Sequence, residues 1–268
     1  MAHSAARHLI TGPGSGAGDR YARGVESLAG RTRSPSPTHP DIDVIVFDIL
    51  GTMVDEPSGI RRGIRALLPD ADEARTRELL DAWYRHVDEQ QREMLAGRRP
   101  YASSTVVDLQ AATRLAAEAG ISDPDAVRAL AASGQRLEPW PDSAQALDRI
   151  ASRFPVAGLS NASRSALTRI SAYARLRWHQ VLSAEDAHSY KPHPDVYRLA
   201  ITNAGCPPER LLMVAAHAWD LRGAQAVGMR TAYVERPVGD PPSAEDSFDF
   251  YANSLDDLAI SLTATRTV

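Results

Sequence analysis

Polar side chains that could carry out chemistry occur in four groups along the sequence, at or near the ends of strand-like segments. The first group is Asp48, and a carboxylate at such a place is a nucleophile, a metal ligand or a helix cap. A lysine held near a carboxylate keeps it ionised, and hydroxyl, amide and backbone N–H groups can hold a carboxylate or a phosphate. The other groups are, in chain order, Ser160 with Asn161, then Lys191, then His217 with Trp219 and Asp220.

The segments before these groups alternate between strand and helix patterns. Residues 44–47 are continuously apolar and mostly β-branched, which is typical of a strand buried on both faces of a parallel sheet. Further strands are predicted at 156–160, 180–182, 211–215 and 230–234, with helices at 142–153, 163–173, 194–204 and 219–227. This alternation predicts an α/β, Rossmann-like parallel sheet flanked by helices. Because ligands bind beyond the carboxyl ends of such strands, the four groups are expected to meet in one site.

A block of helical patterns separates the first strand from the rest. Helices are predicted at 59–68, 72–95, 104–119 and 124–132, so the sequence favours a helical cap inserted into the core. The predicted domains are a core of residues 41–56 and 139–268 and a cap of residues 57–138. Residues 1–40 are rich in Gly, Ser, Arg and Pro, and are expected to be a disordered extension, with a transit peptide as the alternative.

Composition excludes several classes of protein. A net charge of -4 gives no electrostatic reason to expect nucleic acid or an anionic membrane as a partner. The single cysteine, Cys206, excludes an internal disulfide and a multi-thiolate zinc site. No apolar run reaches the roughly 20 residues that span a bilayer, and the N-terminus has no secretory pattern. We therefore predict a cytoplasmic protein.

The ordered motifs FDxxGT, LSN and YKP, followed by a strand and then WD, resemble those of the haloacid dehalogenase superfamily. The resemblance covers residues 43 to about 236 and is closest to the L-2-haloacid dehalogenase (type II) branch. It implies a Rossmann-like core with a helical cap. It also implies that Asp48 displaces halide from the 2-carbon of a substrate, and that water then hydrolyses the resulting ester on the enzyme.

The resemblance implies roles for the other motif residues. Thr52 would hold the nucleophile, Lys191 would pair with it, and Asp220 would orient Lys191 or position the hydrolytic water. Substrate contacts are expected from Ser160, Asn161, Leu50, Tyr197 and Trp219. A cap arginine would receive the leaving halide, and Arg85 is the candidate, with Arg98 and Arg99 as weaker ones.

Departures from the superfamily's phosphatases select the reaction. Leu50 stands where those enzymes have a general acid, and Ala216 where they have a magnesium ligand. We therefore predict no metal and no cofactor. Leu50 also replaces an aromatic residue of the dehalogenases, and Ala215, Ala216 and His217 replace Ser-Ser-Asn. His217 would hold the hydrolytic water, act as a base, or simply fill the edge of the site.

The predicted function is hydrolytic dehalogenation of a small 2-haloalkanoate to the 2-hydroxy acid. The expected partner is a halogenated carboxylate, and a homodimer is expected from the resemblance alone. One alternative is a magnesium-dependent phosphatase or phosphonatase of the same fold. A second is a non-catalytic binding protein, although a scaffold has no need of Asp48, Thr52, Lys191 and Asp220 together.

Overall fold

The fold is built on a six-stranded parallel sheet, seen in a computed structural model that describes residues 42–263. The strands lie in the order β3-β2-β1-β4-β5-β6, and every neighbouring pair is parallel. Their bounds are β1 Val44–Phe47, β2 Val156–Ser160, β3 Gln180–Ser183, β4 Leu211–Ala215, β5 Arg230–Val234 and β6 Phe250–Ala252. The sequence prediction of a Rossmann-like α/β fold is confirmed.

Strand β1 lies in the middle of the sheet, and its position determines where the residue after it emerges. Phe47 pairs with Gly158 of β2 on one side and with Val214 of β4 on the other. Asp48 therefore leaves the sheet between the carboxyl ends of β2 and β4, the crevice where α/β proteins bind ligands.

Helices cover both faces of the sheet, as the continuous apolar strands require. Their bounds are α5 Ser143–Ala151, α6 Arg164–Tyr173, α7 Pro194–Ala204, α8 Ala218–Ala226 and α9 Leu255–Thr263. Helices α5, α6 and α9 pack on the face that carries Ile45 and Phe47. Helices α7 and α8 pack on the opposite face, which carries Val46. Each face thus has its own apolar core.

Four helices lie in the chain between β1 and α5, and we call them the helical insertion. They are α1 Glu56–Leu67, α2 Glu73–Leu95, α3 Ser104–Glu118 and α4 Pro124–Ala131. A third apolar core, centred on Trp83, Leu79 and Ile64, belongs to this insertion alone. Its separate core supports the predicted cap, although the domain bounds at 57 and 138 stay a prediction.

The C-terminal part of the chain contains two elements that the sequence patterns did not predict. Strand β6 has three residues, and α9 follows it closely. Both come after the polar stretch 237–247, where no apolar periodicity signals a return to the sheet. The predicted N-terminal extension, 1–40, lies outside the described residues. Within residues 42–263 no helix is both long enough and apolar enough to cross a bilayer.

Candidate active site

Asp48 lies at the floor of the site, where a tight loop follows β1. Its backbone N–H donates to the carbonyl of Val214 at 2.9 Å, which continues the ladder to β4. Gly51 turns the chain with a φ of +78°, a conformation that side chains disfavour. The turn returns Thr52, whose hydroxyl donates to Oδ2 of Asp48 at 2.7 Å and accepts from the N–H of Ala216 at 2.9 Å. Thr52 is fully buried, so this carboxylate oxygen has a fixed direction.

Lys191 pairs with Asp48 from the loop that follows β3. Its ammonium donates to Oδ1 of Asp48 at 3.0 Å and to Oδ2 of Asp220 at 2.7 Å. All three side chains are buried. The backbone N–H of Lys191 donates to Oδ1 of Asn161 at 2.8 Å, so the loop after β2 holds the loop after β3 in place.

Asp220 stands in the first turn of α8, where the helix N-terminus favours a negative charge. Besides Lys191 it accepts from the Tyr197 hydroxyl, which lies 2.6 Å from its Oδ1 and 3.1 Å from its backbone carbonyl oxygen. Tyr197 is fully buried behind Asp220 on α7. Its place is therefore that of a positioning residue rather than a substrate contact.

His217 caps the same end of the site, just before α8. Its Nδ1 lies 3.4 Å from Oδ2 of Asp48, and its ring packs against that of Trp219 with centroids 5.8 Å apart. A Cβ on Gly51 would come within 2.7 Å of the imidazole Cε1. Only glycine at position 51 lets the imidazole approach the nucleophile loop so closely.

The charges in the site shift one another's pKa values. Burial alone would raise the pKa of Asp48, but Lys191, His217 and Thr52 outweigh it and hold that pKa below its usual range. Burial likewise opposes the charge on Lys191, and the two carboxylates overcome it and raise its pKa. Burial disfavours the charged form of His217, yet Asp48 and Asp220 raise its pKa above the ordinary value. Asp48 is therefore ionised over the whole neutral range.

A cleft of about 230 Å³ opens above Asp48. Its core side consists of Leu50, Ser160, Asn161, Lys191, His217 and Trp219. Its other side comes from the helical insertion and consists of Glu56, Tyr84, Val87, Asp88 and Gln91. The Ser160 hydroxyl accepts from the N–H of Ala162 at 3.2 Å, while Asn161 keeps its amide NH₂ as a donor because Lys191 occupies its oxygen. The cleft can hold a small molecule against the carboxylate of Asp48.

Comparison with known proteins places this arrangement in a family. The family model for haloacid dehalogenase-like hydrolases matches residues 42–228. The chain belongs to this family. It is 30% identical over 204 residues to an (S)-2-haloacid dehalogenase of Pseudomonas putida, a match that spans 73% of this chain and 86% of the relative. An (S)-2-haloacid dehalogenase of Burkholderia cepacia is 29% identical over 222 residues, 80% of this chain and 91% of that one.

Solved structures agree with the family match. One L-2-haloacid dehalogenase superimposes with a TM-score of 0.76 at 29% identity, covering 84% of this chain and 100% of the other. A defluorinating L-2-haloacid dehalogenase gives a TM-score of 0.75 at 27% identity, with 83% and 96% covered. The enzyme of Xanthobacter autotrophicus with chloropropionic acid covalently bound gives 0.71 at 25% identity, with 84% and 100% covered.

The structure of this hydrolase does not bring Arg85 into the cleft. Arg85 is exposed on α2, whereas the preceding residue, Tyr84, lines the cleft. Arg98 is exposed and bonds to Glu93 at 2.7 and 2.8 Å. Arg99 donates to Gln110 at 3.3 Å, away from the cleft wall. The guanidinium group expected to receive the leaving halide is therefore absent from the wall that residues 42–263 form.

The insertion side of the cleft contains functional candidates that the sequence did not reveal. Glu56 opens α1, where an acidic residue normally indicates only a favourable charge at the helix N-terminus. Burial raises the pKa of Glu56 to about 7. Asp48 and Asp88 also raise this pKa, whereas His217 and Tyr84 lower it. No sequence signal separates such a residue from an ordinary first-turn acid.

Arg236 is another positioning residue that the motifs did not indicate. Its Nε donates to the backbone carbonyl of Thr52 at 2.9 Å, and its Nη1 donates to Oδ2 of Asp142 at 3.0 Å. Through these two hydrogen bonds, Arg236 connects the loop after β1 to the residues that follow β5 and to those that precede α5.

The donor set around Asp48 does not suit a divalent ion. Among residues 42–263 no three His, Cys, Asp or Glu side chains are grouped so that they could hold a metal. Leu50 and the buried Ala216 offer no oxygen side chain beside Asp48, and Lys191 occupies the space between Asp48 and Asp220 with a positive charge. Hard ions need several oxygen ligands, which this site does not supply.

Proposed function

We propose that this hydrolase is a metal-independent dehalogenase that converts a small (S)-2-haloalkanoic acid to the 2-hydroxy acid. The main support is that Lys191 donates to one carboxylate oxygen of Asp48 and Thr52 donates to the other. These bonds orient the Asp48 carboxylate and keep it ionised at the floor of the cleft. An ionised, oriented carboxylate is a nucleophile for carbon. Relatives named (S)-2-haloacid dehalogenase support this substrate class.

In the first step an oxygen of Asp48 attacks the 2-carbon, and the carbon–halogen bond breaks. The halogen leaves with the bonding electron pair as halide, so no proton is required. The product is an ester of Asp48 in which the configuration at the 2-carbon is inverted. Ser160 and Asn161 are proposed to bind the substrate carboxylate through hydroxyl and amide donors. Leu50 and Trp219 would shape the apolar part of the pocket.

In the second step water attacks the carbonyl carbon of the Asp48 ester and releases the 2-hydroxy acid. One solvent oxygen remains in the Asp48 carboxylate. His217 lies beside Oδ2 of Asp48 and is proposed to take the proton of this water. Lys191 and Thr52 stabilise the negative charge that develops on the carboxyl group, and Asp220 with Tyr197 keeps Lys191 in place.

The helical insertion is proposed to act as the cap that covers the reaction, since α1 and α2 supply one whole side of the cleft. The cap keeps bulk water away from the carbon–halogen bond. A cytoplasmic location and a homodimer stay predictions from the sequence.

Halide release from L-2-chloropropionate, bromoacetate and fluoroacetate tests the proposal, with Asp48→Asn as control and EDTA present throughout. A single turnover in ¹⁸O-labelled water should label Asp48 and leave the product unlabelled, because the new hydroxyl oxygen comes from Asp48. No halide above the Asp48→Asn level would reject dehalogenation. Magnesium-dependent hydrolysis of p-nitrophenyl phosphate would favour a phosphatase instead, and ligand binding without turnover of either substrate class would favour a binding protein.

A further inference from the structure

The insertion side of the cleft poses an electrostatic problem for the proposed reaction. Displacement at carbon is in line, so the halide leaves on the side away from Asp48, towards α1 and α2. Among residues 42–263, Lys191 is the only lining side chain with a permanent positive charge, and two carboxylates already hold it. The lining residues from the insertion include the carboxyl groups of Glu56 and Asp88. Two carboxylates would repel the departing anion.

Glu56 is the carboxyl group best placed to resolve this problem. It is partly buried at the start of α1, held there by the Asp55 side chain, which accepts from the N–H of Ser58 at 3.1 Å and caps the helix. The titratable groups that face Glu56 come from four elements, namely Asp48 after β1, His217 before α8, Tyr84 and Asp88 on α2, and Asp108 on α3. Three of these five groups are carboxyls, so a proton on Glu56 relieves repulsion from several directions at once.

We propose that Glu56, as a neutral carboxylic acid, donates a hydrogen bond to the halide as it leaves the 2-carbon. The Tyr84 hydroxyl stands beside Glu56 on the same wall. The inference rests on the proposed dehalogenation. It makes Glu56 a catalytic residue that fills the place expected for a cap arginine.

The proton remains on Glu56 throughout this step. Hydrogen halides are stronger acids than a carboxylic acid, so the halide accepts the hydrogen bond without taking the proton. The bond from Asp48 to carbon forms, the carbon–halogen bond breaks, and the electron pair leaves with the halide. A pKa of about 7 keeps much of Glu56 protonated near neutral pH, and Asp108, whose pKa burial raises to about 8, adds no full charge behind it.

The role predicts a dependence on the leaving group. Fluoride is the smallest and most basic halide and accepts the strongest hydrogen bond, whereas bromide needs little assistance. Losing the Glu56 donor should therefore slow release of fluoride much more than release of bromide. A residue that only supports the structure would affect both halides alike.

The experiment compares Glu56→Gln with Glu56→Leu, because an amide still donates a hydrogen bond and cannot ionise. With 2-fluoropropionate at pH 6, Glu56→Leu should release halide about 10- to 100-fold more slowly than wild type, and with 2-bromopropionate only about 3-fold more slowly. Glu56→Gln should stay within about 3-fold of wild type on both substrates. The wild-type rate should fall above pH 7, and the rate of Glu56→Gln should not. Glu89→Gln, at an exposed position of α2 outside the cleft, is the matched control.

A binding measurement keeps this inference separate from the proposed function. Sodium bromide is titrated into each variant, and quenching of tryptophan fluorescence is followed, since Trp219 lines the cleft. Wild-type affinity should weaken above pH 7, Glu56→Gln should show no such change, and Glu56→Leu should bind weakly at every pH. These results without any haloacid turnover would reject dehalogenation and retain the anion site.

Other outcomes overturn the role of Glu56. Equal losses of halide-release rate in Glu56→Gln and Glu56→Leu would show that the ionised form of Glu56 matters rather than the protonated form. Equal effects on fluoride and bromide release would assign Glu56 to structure. If Glu56→Leu does not fold, the pH profiles of wild type and Glu56→Gln still decide, because matching profiles contradict the proposal.

Discussion

The ammonium group of Lys191 lies 3.0 Å from Oδ1 of Asp48, although 143 residues separate the two in sequence. Two loops at the carboxyl ends of β1 and β3 bring them together. Asp220, 2.7 Å away, completes a buried arrangement of two carboxylates around one cation. The site thus concentrates negative charge, and Lys191 balances it from a position between the two carboxylates.

Replacing Lys191 with methionine should abolish turnover and destabilise the fold. Two buried carboxylates would lose their common partner, and breaking a buried ion pair in this way costs about 3 to 5 kcal/mol. Urea denaturation at pH 7 measures the free energy of unfolding. Because protonation relieves the unpaired charge, the loss should shrink when the measurement is repeated at pH 4. A variant as stable as wild type at pH 7 would show that Lys191 does not balance the two carboxylates.

Tyr197 should support activity through Asp220 without touching the substrate. Tyr197→Phe removes the 2.6 Å hydrogen bond to a charged acceptor, with an expected loss of about 1.5 to 3 kcal/mol in stability. Turnover should fall through kcat, while KM stays near the wild-type value. A change confined to KM would instead indicate a substrate contact.

Gly223 offers an independent test of the same contact. A Cβ at this position of α8 would lie 2.4 Å from the Tyr197 hydroxyl. Gly223→Ala should therefore destabilise the protein and lower kcat, although alanine favours a helix by about 1 kcal/mol over glycine. Gly134, whose Cβ would meet its nearest neighbour only at 3.5 Å, is the control. An active, stabilised Gly223→Ala variant would show that Tyr197 is free to move.

The core half of the site was predictable because strand ends fix where the following residues lie. Asp48, Ser160 and Asp220 follow β-branched or apolar runs whose parallel pairing is dictated by the βαβ alternation. Once the strands are aligned, their carboxyl ends share one edge of the sheet. The resemblance to known motifs then assigned Lys191 and Thr52, and the structure brings both within 3.0 Å of Asp48.

The insertion half was not predictable in the same way. Successive residues of a helix point about 100° apart, so an error of one position changes a cleft residue into an exposed one. Around Trp83, Tyr84 and Arg85 the sequence shows an amphipathic helix but not which edge of its apolar stripe faces the core. Trp83 packs into the insertion, Tyr84 lines the cleft, and Arg85 faces solvent. Glu56 carried no signal because its pKa depends on neighbours from elements distant in sequence.

Glu56→Gln should make the protein more stable above neutral pH. The pKa of Glu56 rises from 4.5 to about 7 on folding, so folding favours the protonated form. Below pH 4.5 both states are protonated and the substitution changes little. As pH rises from 4.5 to 7, Glu56 ionises in the unfolded chain but stays largely protonated in the folded protein. The wild-type protein therefore loses stability over this range, and the variant does not. At pH 8 the difference should reach roughly 2 to 3 kcal/mol.

Urea denaturation of both proteins at pH 4.5, 6 and 8 measures this difference directly. Glu89→Gln should show no comparable gain, because Glu89 is exposed on α2. A difference that does not grow between pH 4.5 and pH 8 would show that Glu56 is not protonated preferentially in the folded state.

Replacing His217 should separate the two steps of the proposed reaction. His217→Leu keeps a side chain of comparable size but can neither hold a water molecule nor take a proton from it. Ester formation should proceed near the wild-type rate, while ester hydrolysis should slow by roughly 10²- to 10⁴-fold. The Asp48 ester should then accumulate, and rapid quenching followed by mass spectrometry of the Asp48 peptide detects it. Fast hydrolysis in His217→Leu would remove His217 from the second step.

The pH dependence of hydrolysis gives a sharper test of the same role. In the free enzyme the Asp48 carboxylate is a main cause of the raised pKa of His217. Esterification removes that negative charge, so the pKa of His217 should be lower in the ester than in the free enzyme. The rate of hydrolysis should rise with pH, and the midpoint of that rise should lie below the pKa of His217 that NMR measures in the free enzyme. Coincidence of the two values would mean that His217 does not respond to the charge of Asp48, and that another group activates the water.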